Sequence, residues 1–303
     1  MADNLHLSIV TSVYQSAGYI EEFYSRIINI VRVITNDYEL IFVNDGSNDD
    51  ILDILNHLRI NDQRISIINL TKNFGQHPAL WAGIKASRGN LVFVIDCDLE
   101  ESPEHLEHFY QILCNEHADM VFAAQKTRNG SHFSKFSGNI FYWLLRQCTD
   151  FKVVPNVLMM RLMTRQYVNS MLQFVEYDPR MTIIAYMIGF KTICIPIEKK
   201  FKGTSSYTFS KKCNEACDYL VGISNKPLYY ILYSGLSIFM ISIAAGAEVL
   251  LSGTQSTSSW ILCGMGIMTG LLMISTGIVA IYVGRIFLEV RHPPLPMVKE
   301  IIR

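Results

Sequence analysis

The sequence has 303 residues, of which 50% are hydrophobic and 17% are charged, with a net charge of −1. Soluble domains average about 25% charged residues, and the balanced charge gives no sign of a nucleic-acid partner. The seven cysteines are scattered without a Cys-x-x-Cys pair, which argues against a zinc site or a disulfide framework and fits a reducing cytosol. The first apolar segment, Leu7–Val13, is too short for a secretory signal peptide.

Strands and helices alternate over the first two thirds of the chain. We predict strands at Leu7–Val13, Glu39–Val43, Ile65–Asn69, Leu91–Ile95 and Met120–Ala124, separated by helices at Tyr19–Ile34, Asp49–Leu58, Pro78–Ala86 and Pro103–Leu113. This alternation predicts an α/β fold, with a mostly parallel sheet and helices on both of its faces.

Two carboxylates follow the fourth predicted strand. Residues i and i+2 of an extended chain point to the same side, so Asp96 and Asp98 converge where the strand ends, and Cys97 points away. Converging carboxylates favour a hard divalent cation, and ligands of open α/β sheets bind beyond the carboxyl ends of strands. The pattern therefore suggests a Mg²⁺ or Mn²⁺ site that holds a diphosphate. A solvated acidic turn that continues into Glu100 and Glu101 is the alternative.

The last third of the chain has two long uncharged segments. No charged residue lies between Lys226 and Glu248, or between Glu248 and Arg285, and each segment exceeds the ~20 residues that span a bilayer core. We predict a transmembrane hairpin with helices at about 228–250 and 260–283. The connecting loop lacks Lys and Arg, whereas both outer flanks carry them, so the positive-inside rule places both termini in the cytoplasm. Four glycines in the second helix, Gly264, Gly266, Gly270 and Gly277, would allow close helix packing, so we expect the hairpin to pack on itself or on a neighbour.

Several short motifs occur together in the order and spacing of family 2 glycosyltransferases. They are Ile9–Val13, Phe42–Ser47, Asn73-Phe74-Gly75, Ala82-Gly83-Ile84, Asp96-Cys97-Asp98-Leu99 and Pro103-Glu104. The chain most closely resembles the polyprenyl-phosphate glycosyltransferase branch, the bacterial relatives of dolichyl-phosphate-mannose synthase. This resemblance implies a nucleotide-sugar-binding (GT-A, Rossmann-like) domain at 1–208, a juxtamembrane amphipathic segment at 209–227, the hairpin at 228–283 and a cytosolic tail at 284–303.

The resemblance also implies roles for the residues at the strand ends. Asp96 and Asp98 would be catalytic, holding Mg²⁺ or Mn²⁺ and the diphosphate of the nucleotide sugar. Asp45 would contact the nucleotide base or ribose, with an Asp-Gly turn as the alternative interpretation. Tyr14 would stack on the base.

A basic segment precedes the membrane hairpin. The resemblance implies that Lys200 and Lys202 capture the lipid phosphate, with hydroxyl hydrogen bonds from Ser205 and Tyr207. Attraction to anionic lipid headgroups would explain the lysines equally well. Two arginines, Arg128 and Arg180, are further candidates through bidentate pairing with phosphate, although both could be ordinary surface residues.

The sequence departs from the family at a catalytic position. The family's Asp-Phe-Arg-Leu-Met-x-Arg segment corresponds to residues 159–165 here, so Met159 stands where an aspartate is assigned as the catalytic base. A hydroxyl acceptor needs such a base. A phosphate monoester has its second pKa near 6 and is already mostly a dianion at neutral pH. The departure therefore favours a phosphate acceptor.

The expected function is that of an inverting glycosyltransferase. It would move a sugar from a nucleotide sugar to polyprenyl (undecaprenyl) phosphate at the cytoplasmic face of the bacterial inner membrane, for cell-surface polysaccharide. Its partners would be the nucleotide sugar, polyprenyl phosphate and membrane lipid, without nucleic acid, and the resemblance is compatible with a homo-oligomer. Two alternatives stay open. One is transfer to the hydroxyl of a lipid-linked saccharide, with Glu100 or Glu101 as base, and the other is a non-catalytic protein that binds nucleotide sugar.

Overall fold

The structure, a computed structural model, describes residues 7–126, 147, 154–173, 181, 184–185, 188–198, 226–253, 256–290 and 296–303. Eight strands are formed by β1 Leu7–Val13, β2 Tyr38–Asn44, β3 Ile65–Leu70, β4 Leu91–Val94, β5 Met120–Gln125, β6 Val157–Thr164, β7 Thr192–Ile197 and β8 Val298–Ile302. The α-helices are α1 Ile20–Ile34, α2 Ile51–Asn61, α3 Gln76–Ala86, α4 His105–Asn115, α5 Arg165–Leu172, α6 Lys226–Leu251 and α7 Thr257–Val290, and a short 3-10 helix at Ala17–Tyr19 precedes α1.

The strands form one sheet in the order β7-β5-β6-β4-β1-β2-β3-β8. Strands β3, β2, β1 and β4 are parallel neighbours, and β5 is parallel to β7. The sheet is therefore mostly parallel, as expected. The chain leaves β1 on one side toward β2 and returns on its other side as β4, so a topological switch point, where open α/β sheets bind ligands, lies beside β1.

Two strands run against this direction, and neither was expected from the sequence. Strand β6 is inserted between β4 and β5 and is antiparallel to both. Strand β8 comes from the C-terminal segment that we expected to be a tail, and it pairs antiparallel with β3. Because β8 covers β3, the parallel part of the sheet does not end in an open edge.

Helices cover both faces of the sheet, which confirms the predicted α/β architecture. One face packs against α1, α2 and α4 through buried residues such as Ile9, Phe42 and Phe93. The other face packs against α3 and α5, with Val10 and Val43 among its buried residues. The apolar runs of β1, β2 and β4 fit this position, because strands that are buried on both faces lack polar alternation.

Helices α6 and α7 form a second compact unit and pack against each other. Glycines lie in their contact: a side chain at Gly270 would meet the backbone of Phe239, and one at Gly277 would meet the backbone of Leu232. Gly266 faces Ser242, whereas a side chain at Gly264 would meet nothing within 4 Å. The small residues thus permit close approach of the two helices.

The segments Leu228–Leu251 and Thr257–Gly284 are long and apolar enough to cross a membrane, judged by length and composition. Many of their large apolar side chains face outward, and Leu262 is 70% exposed. The predicted hairpin helices therefore exist as helices. The assignment of domain boundaries along the chain stays a prediction.

Candidate active site

The described residues line a cavity at the carboxyl ends of the four parallel strands β1 to β4. Its volume is about 280 Å³, and its lining residues are Ser12, Tyr14, Ser16, Asp45, Asn73, Gly75, Gln76, Asp96, Cys97 and Asp98. The cavity therefore collects the segments that follow β1, β2, β3 and β4, which is where the switch point beside β1 predicts a ligand.

The two predicted metal ligands both line this cavity. Asp96 accepts a hydrogen bond from Gln76 Nε2 to its Oδ1 at 2.6 Å. Asp98 accepts one from the backbone N–H of Glu100 at 2.9 Å. Leu99 between them and the next helix has a φ of +61°, an uncommon conformation for a residue with a side chain. This turn and the Glu100 N–H hold the carboxylate of Asp98 at the cavity.

Cys97 is held between the two aspartates and points into the protein. Its Sγ donates to the carbonyl oxygen of Ser12 at 3.4 Å, which ties the end of β4 to the end of β1. Burial raises the pKa of the thiol to about 12, and the charges of Asp96 and Asp98 raise it further. Cys97 is therefore a structural thiol and is not a nucleophile at neutral pH.

Cys97 is expected to resist alkylation in the folded protein. At pH 8 a thiol with a pKa near 12 is a thiolate in only about one molecule in 10⁴. Cys114 on α4 is exposed and serves as the internal control. Labelling with iodoacetamide, followed by mass spectrometry, should modify Cys114 and leave Cys97 unmodified until the protein is denatured. Equal labelling rates for the two residues would contradict the buried position of Cys97.

Asp45 lies in the cavity wall and also holds a neighbouring segment in place. It is 3% exposed. Its Oδ1 accepts the N–H of Phe74 at 2.7 Å, and its Oδ2 accepts the N–H of Gly75 at 2.9 Å. Burial raises the pKa of Asp45, and these two hydrogen bonds partly offset that effect. A carboxylate oxygen can accept a second hydrogen bond, so the clamp leaves Asp45 able to contact a ligand.

The aromatic candidate lies beside these carboxylates. Tyr14 lines the cavity and is 43% exposed, so it is accessible to a ligand that binds there, and its aromatic ring is of the kind on which a base stacks. The loop that carries it is fixed by Ser16, whose Oγ donates to the carbonyl oxygen of Tyr14 at 2.8 Å.

The charge of the cavity restricts what can bind there. Among the described residues the lining contains three aspartates and neither lysine nor arginine. An anionic diphosphate would be repelled by these carboxylates unless a cation lies between them. No group of three or more His, Cys, Asp or Glu that could hold a metal is found among the described residues. The donor set nevertheless fits Mg²⁺ or Mn²⁺, because Mg²⁺ is commonly held by one or two carboxylates together with phosphate and water oxygens.

Met159 has a carboxylate beside it, from the loop after Asp98. Glu101 is 1% exposed, and its Oε1 accepts the backbone N–H of Met159 at 3.2 Å. Neither residue lines the cavity. Arg161, two residues further along β6, is buried and donates to the carbonyl oxygens of Met159 at 2.9 Å and Leu158 at 3.0 Å. This part of β6 is thus fixed by polar contacts around Met159.

The structure thus brings together Tyr14, Asp45, Asp96 and Asp98 in one cavity. The remaining predicted site residues lie outside the described part of the chain; they are Arg128, Arg180, Lys200, Lys202, Ser205 and Tyr207. Among the lining residues, sequence reasoning assigned no role to Gln76. Its signal was its position directly after the Asn73-Phe74-Gly75 motif, where helix α3 begins at the end of a parallel strand.

Comparison with known proteins agrees with this geometry. The sequence model of "Glycosyl transferase family 2" matches residues 8–172. A Mycobacterium tuberculosis protein grouped with the glycosyltransferases is 35% identical over 98% of this chain and 88% of its own length. The bactoprenol glucosyl transferase of Shigella phage SfV is 28% identical over 98% of this chain and 99% of its own.

A solved structure shares the fold. Glucosyl-3-phosphoglycerate synthase from Mycobacterium tuberculosis superposes with a TM-score of 0.51 at 15% identity, covering 72% of this chain and 78% of that one. At this level of identity the likeness concerns the fold alone. It confirms the expected GT-A architecture for the sheet and its helices.

Proposed function

The chain belongs to glycosyl transferase family 2, and from that premise we propose that it transfers a sugar from a nucleotide sugar to a polyprenyl phosphate. The observation that carries the proposal is the acidic cavity at the ends of β1 to β4, in a chain that also has two helices of membrane-spanning length. Bactoprenol, named for the relative from phage SfV, is a polyprenyl alcohol, which supports the acceptor class.

The donor would bind in the cavity. Asp96 and Asp98 would hold Mg²⁺ or Mn²⁺, and the metal would neutralise the charge on the departing nucleoside diphosphate. Tyr14 offers an exposed ring on which the base can stack, and Asp45 lies where it can reach the ribose or base. Gln76 donates to Asp96 at 2.6 Å and thereby orients a carboxylate at the metal position.

The acceptor phosphate would displace the nucleotide directly. One phosphate oxygen forms a bond to the anomeric carbon, the bond from that carbon to the diphosphate breaks, and the nucleoside diphosphate leaves with the electron pair. Attack opposite the leaving group inverts the anomeric carbon. The dianionic phosphate needs no general base, which fits Met159 in place of the family's aspartate. Capture of this phosphate is assigned to the predicted set Lys200, Lys202, Ser205, Tyr207, Arg128 and Arg180.

The proposed location is the bacterial cytoplasmic membrane. Helices α6 and α7 would cross it, because outward-facing apolar side chains such as Leu262 are stabilised by lipid and not by water. Both chain ends would lie in the cytoplasm, since the lysines and arginines flank the hairpin on that side. Association into a homo-oligomer belongs to the same proposal.

Turnover of purified protein tests this function. The full chain in detergent, supplied with Mg²⁺ or Mn²⁺, a panel of nucleotide sugars and undecaprenyl phosphate, should release nucleoside diphosphate and form a lipid-linked sugar. Competition between polyprenyl phosphate and a lipid-linked saccharide identifies the acceptor. If the protein consumes no donor from a broad panel, or prefers the saccharide hydroxyl, the proposal is wrong.

The pH dependence of transfer should follow the acceptor. The rate at low acceptor concentration is expected to rise as the pH passes through about 6, where the phosphate becomes a dianion, and then to level off. A phosphonate analogue, which has a higher second pKa, should move this limb to higher pH. Met159→Asp should not increase the transfer rate at any pH, because no proton has to be removed from the acceptor. If the rate rises at the same pH with the phosphate and with the phosphonate acceptor, the titrating group is a base on the protein.

A further inference from the structure

A row of three polar side chains crosses the sheet toward the cavity. Asn44 on β2 is the register partner of Asn69 on β3, and Asn69 is the register partner of Glu300 on β8. Asn44 Nδ2 donates to Asn69 Oδ1 at 2.9 Å, and Asn69 Nδ2 donates to Glu300 Oε1 at 3.0 Å. Both asparagines are buried. We call Asn44, Asn69 and Glu300 the amide relay.

The relay ends on the loops that form the cavity. Asn44 Oδ1 accepts the N–H of Ser47 at 3.0 Å. The Oγ of Ser47 in turn accepts the N–H of Gln15 at 2.8 Å. Gln15 lies between Tyr14 and Ser16, which both line the cavity. The turn that begins at Asn44 also contains Asp45, which holds the N–H groups of residues 74 and 75. Two walls of the cavity are therefore fixed by this one turn.

The carboxylate of Glu300 gives the relay its direction. An ionised carboxylate only accepts hydrogen bonds, whereas an asparagine amide both donates and accepts. Asn69 must therefore turn its NH₂ group toward Glu300 and its oxygen toward Asn44. Asn44 must then present its NH₂ group to Asn69, which leaves its oxygen for Ser47. Chains of this kind also polarise one another, so each hydrogen bond strengthens the next.

We propose that Glu300 is a positioning residue for the nucleotide-sugar donor, acting through Asn69 and Asn44 on the loops that carry Tyr14 and Asp45. The inference rests on the proposed function for the identity of the ligand. It assigns a role in donor binding to the C-terminal strand, which follows the hairpin in sequence. Glu300 is exposed on its edge strand, so substitutions there can be made without opening the buried core.

Reversing the chemistry at this position tests the relay. Glu300→Lys replaces an acceptor by a group that only donates. We therefore expect Asn69 and then Asn44 to turn over, so that the N–H of Ser47 loses its acceptor. Glu300→Gln is the matched control, because its amide oxygen still accepts. We expect Glu300→Lys to weaken binding of UDP or GDP with Mg²⁺ by about tenfold, as for one lost hydrogen bond of a partly buried donor, and Glu300→Gln to bind like the wild type.

A pair of compensating substitutions distinguishes the orientation of the two amides from the effect of the charge at position 300. In the double variant Asn69→Asp with Glu300→Lys, the introduced aspartate accepts from both the introduced lysine and Asn44. The oxygen of Asn44 is then free to accept from Ser47 again. The double variant should therefore recover the nucleotide affinity that Glu300→Lys loses.

Hydrogen exchange, measured by mass spectrometry on the full chain, tests the amide relay in the absence of nucleotide sugar. Exchange in the peptide that contains Ser47 should rise about tenfold in Glu300→Lys and return to the wild-type rate in the double variant. A wild type that binds no nucleoside diphosphate would overturn the proposed function, and the exchange pattern would still report on the relay. The relay itself is wrong if exchange at Ser47 in Glu300→Lys equals the wild-type rate. It is also wrong if exchange at Ser47 rises only together with exchange across β3 and β8 and the double variant does not restore the wild-type rate.

Discussion

Asp98→Asn is expected to reduce sugar transfer by about 100-fold or more, through lost stabilisation of the leaving diphosphate. The substitution keeps the size of the side chain but removes the charge that would hold the metal in a cavity lined by three aspartates. Asparagine Oδ1 can still accept the backbone N–H of Glu100, as Asp98 does at 2.9 Å. The loop should therefore keep its shape, so that lost activity reports on metal binding. The measurement is initial transfer rate as a function of Mg²⁺ and Mn²⁺ concentration.

The matched control is Asp53→Asn, which removes an exposed carboxylate from the first turn of α2. It changes the net charge by the same amount at a distance from the cavity lining, and it should leave transfer unchanged. Raising the metal concentration should partly restore the transfer rate of Asp98→Asn if the substitution weakens metal binding and leaves the remaining site intact. A wild-type rate and metal dependence for Asp98→Asn would show that the diphosphate is held in another way.

The parts of the fold that the sequence predicted well are those with strong local signals. Strands β1 to β5 are apolar runs between turn residues, and each observed bound lies within one residue of the predicted one. Strand β6 was not predicted because it contains methionines, which have no strong β preference, and the buried Arg161. Its burial depends on backbone carbonyls of the same strand. Strand β8 was not predicted because its partner lies far away in sequence: Asn69 and Glu300 are 231 positions apart.

The candidate site likewise has residues that the sequence predicted and contacts that it did not. Asp45, Asp96 and Asp98 were found because each stands at or just beyond the end of an apolar strand, and parallel strands bring their carboxyl ends to one edge. The clamp of Asp45 on residues 74 and 75 was not foreseen, since it is made between two loops whose spacing no local pattern reveals. The polar contact of Glu101 with Met159 likewise joins the loop after β4 to β6. Hydrogen bonds between loops of different strands follow from tertiary packing alone.

The substitution Gly46→Ala is expected to disrupt the cavity more than its size suggests. Gly46 has a φ of +66°, and a Cβ there would meet the carbonyl carbon of Lys72 at 2.5 Å and the nitrogen of Asn73 at 2.6 Å. Those atoms belong to the backbone, so they cannot move aside as a flexible side chain would. The left-handed conformation costs about 1 kcal/mol for alanine, and overpacking adds roughly 1–3 kcal/mol.

This strain falls on the segment that Asp45 clamps. A shift of residues 72 and 73 displaces the N–H groups of Phe74 and Gly75 from the two oxygens of Asp45, and it moves Asn73 and Gly75 in the cavity wall. Gly46→Ala should therefore lower Tm by about 5 °C or more and also weaken nucleotide binding. Gly18→Ala is the control, because a Cβ at Gly18 meets nothing within 4 Å. If both variants melt and bind nucleotide like the wild type, the close contact between the turn after β2 and residues 72 and 73 does not shape the donor site.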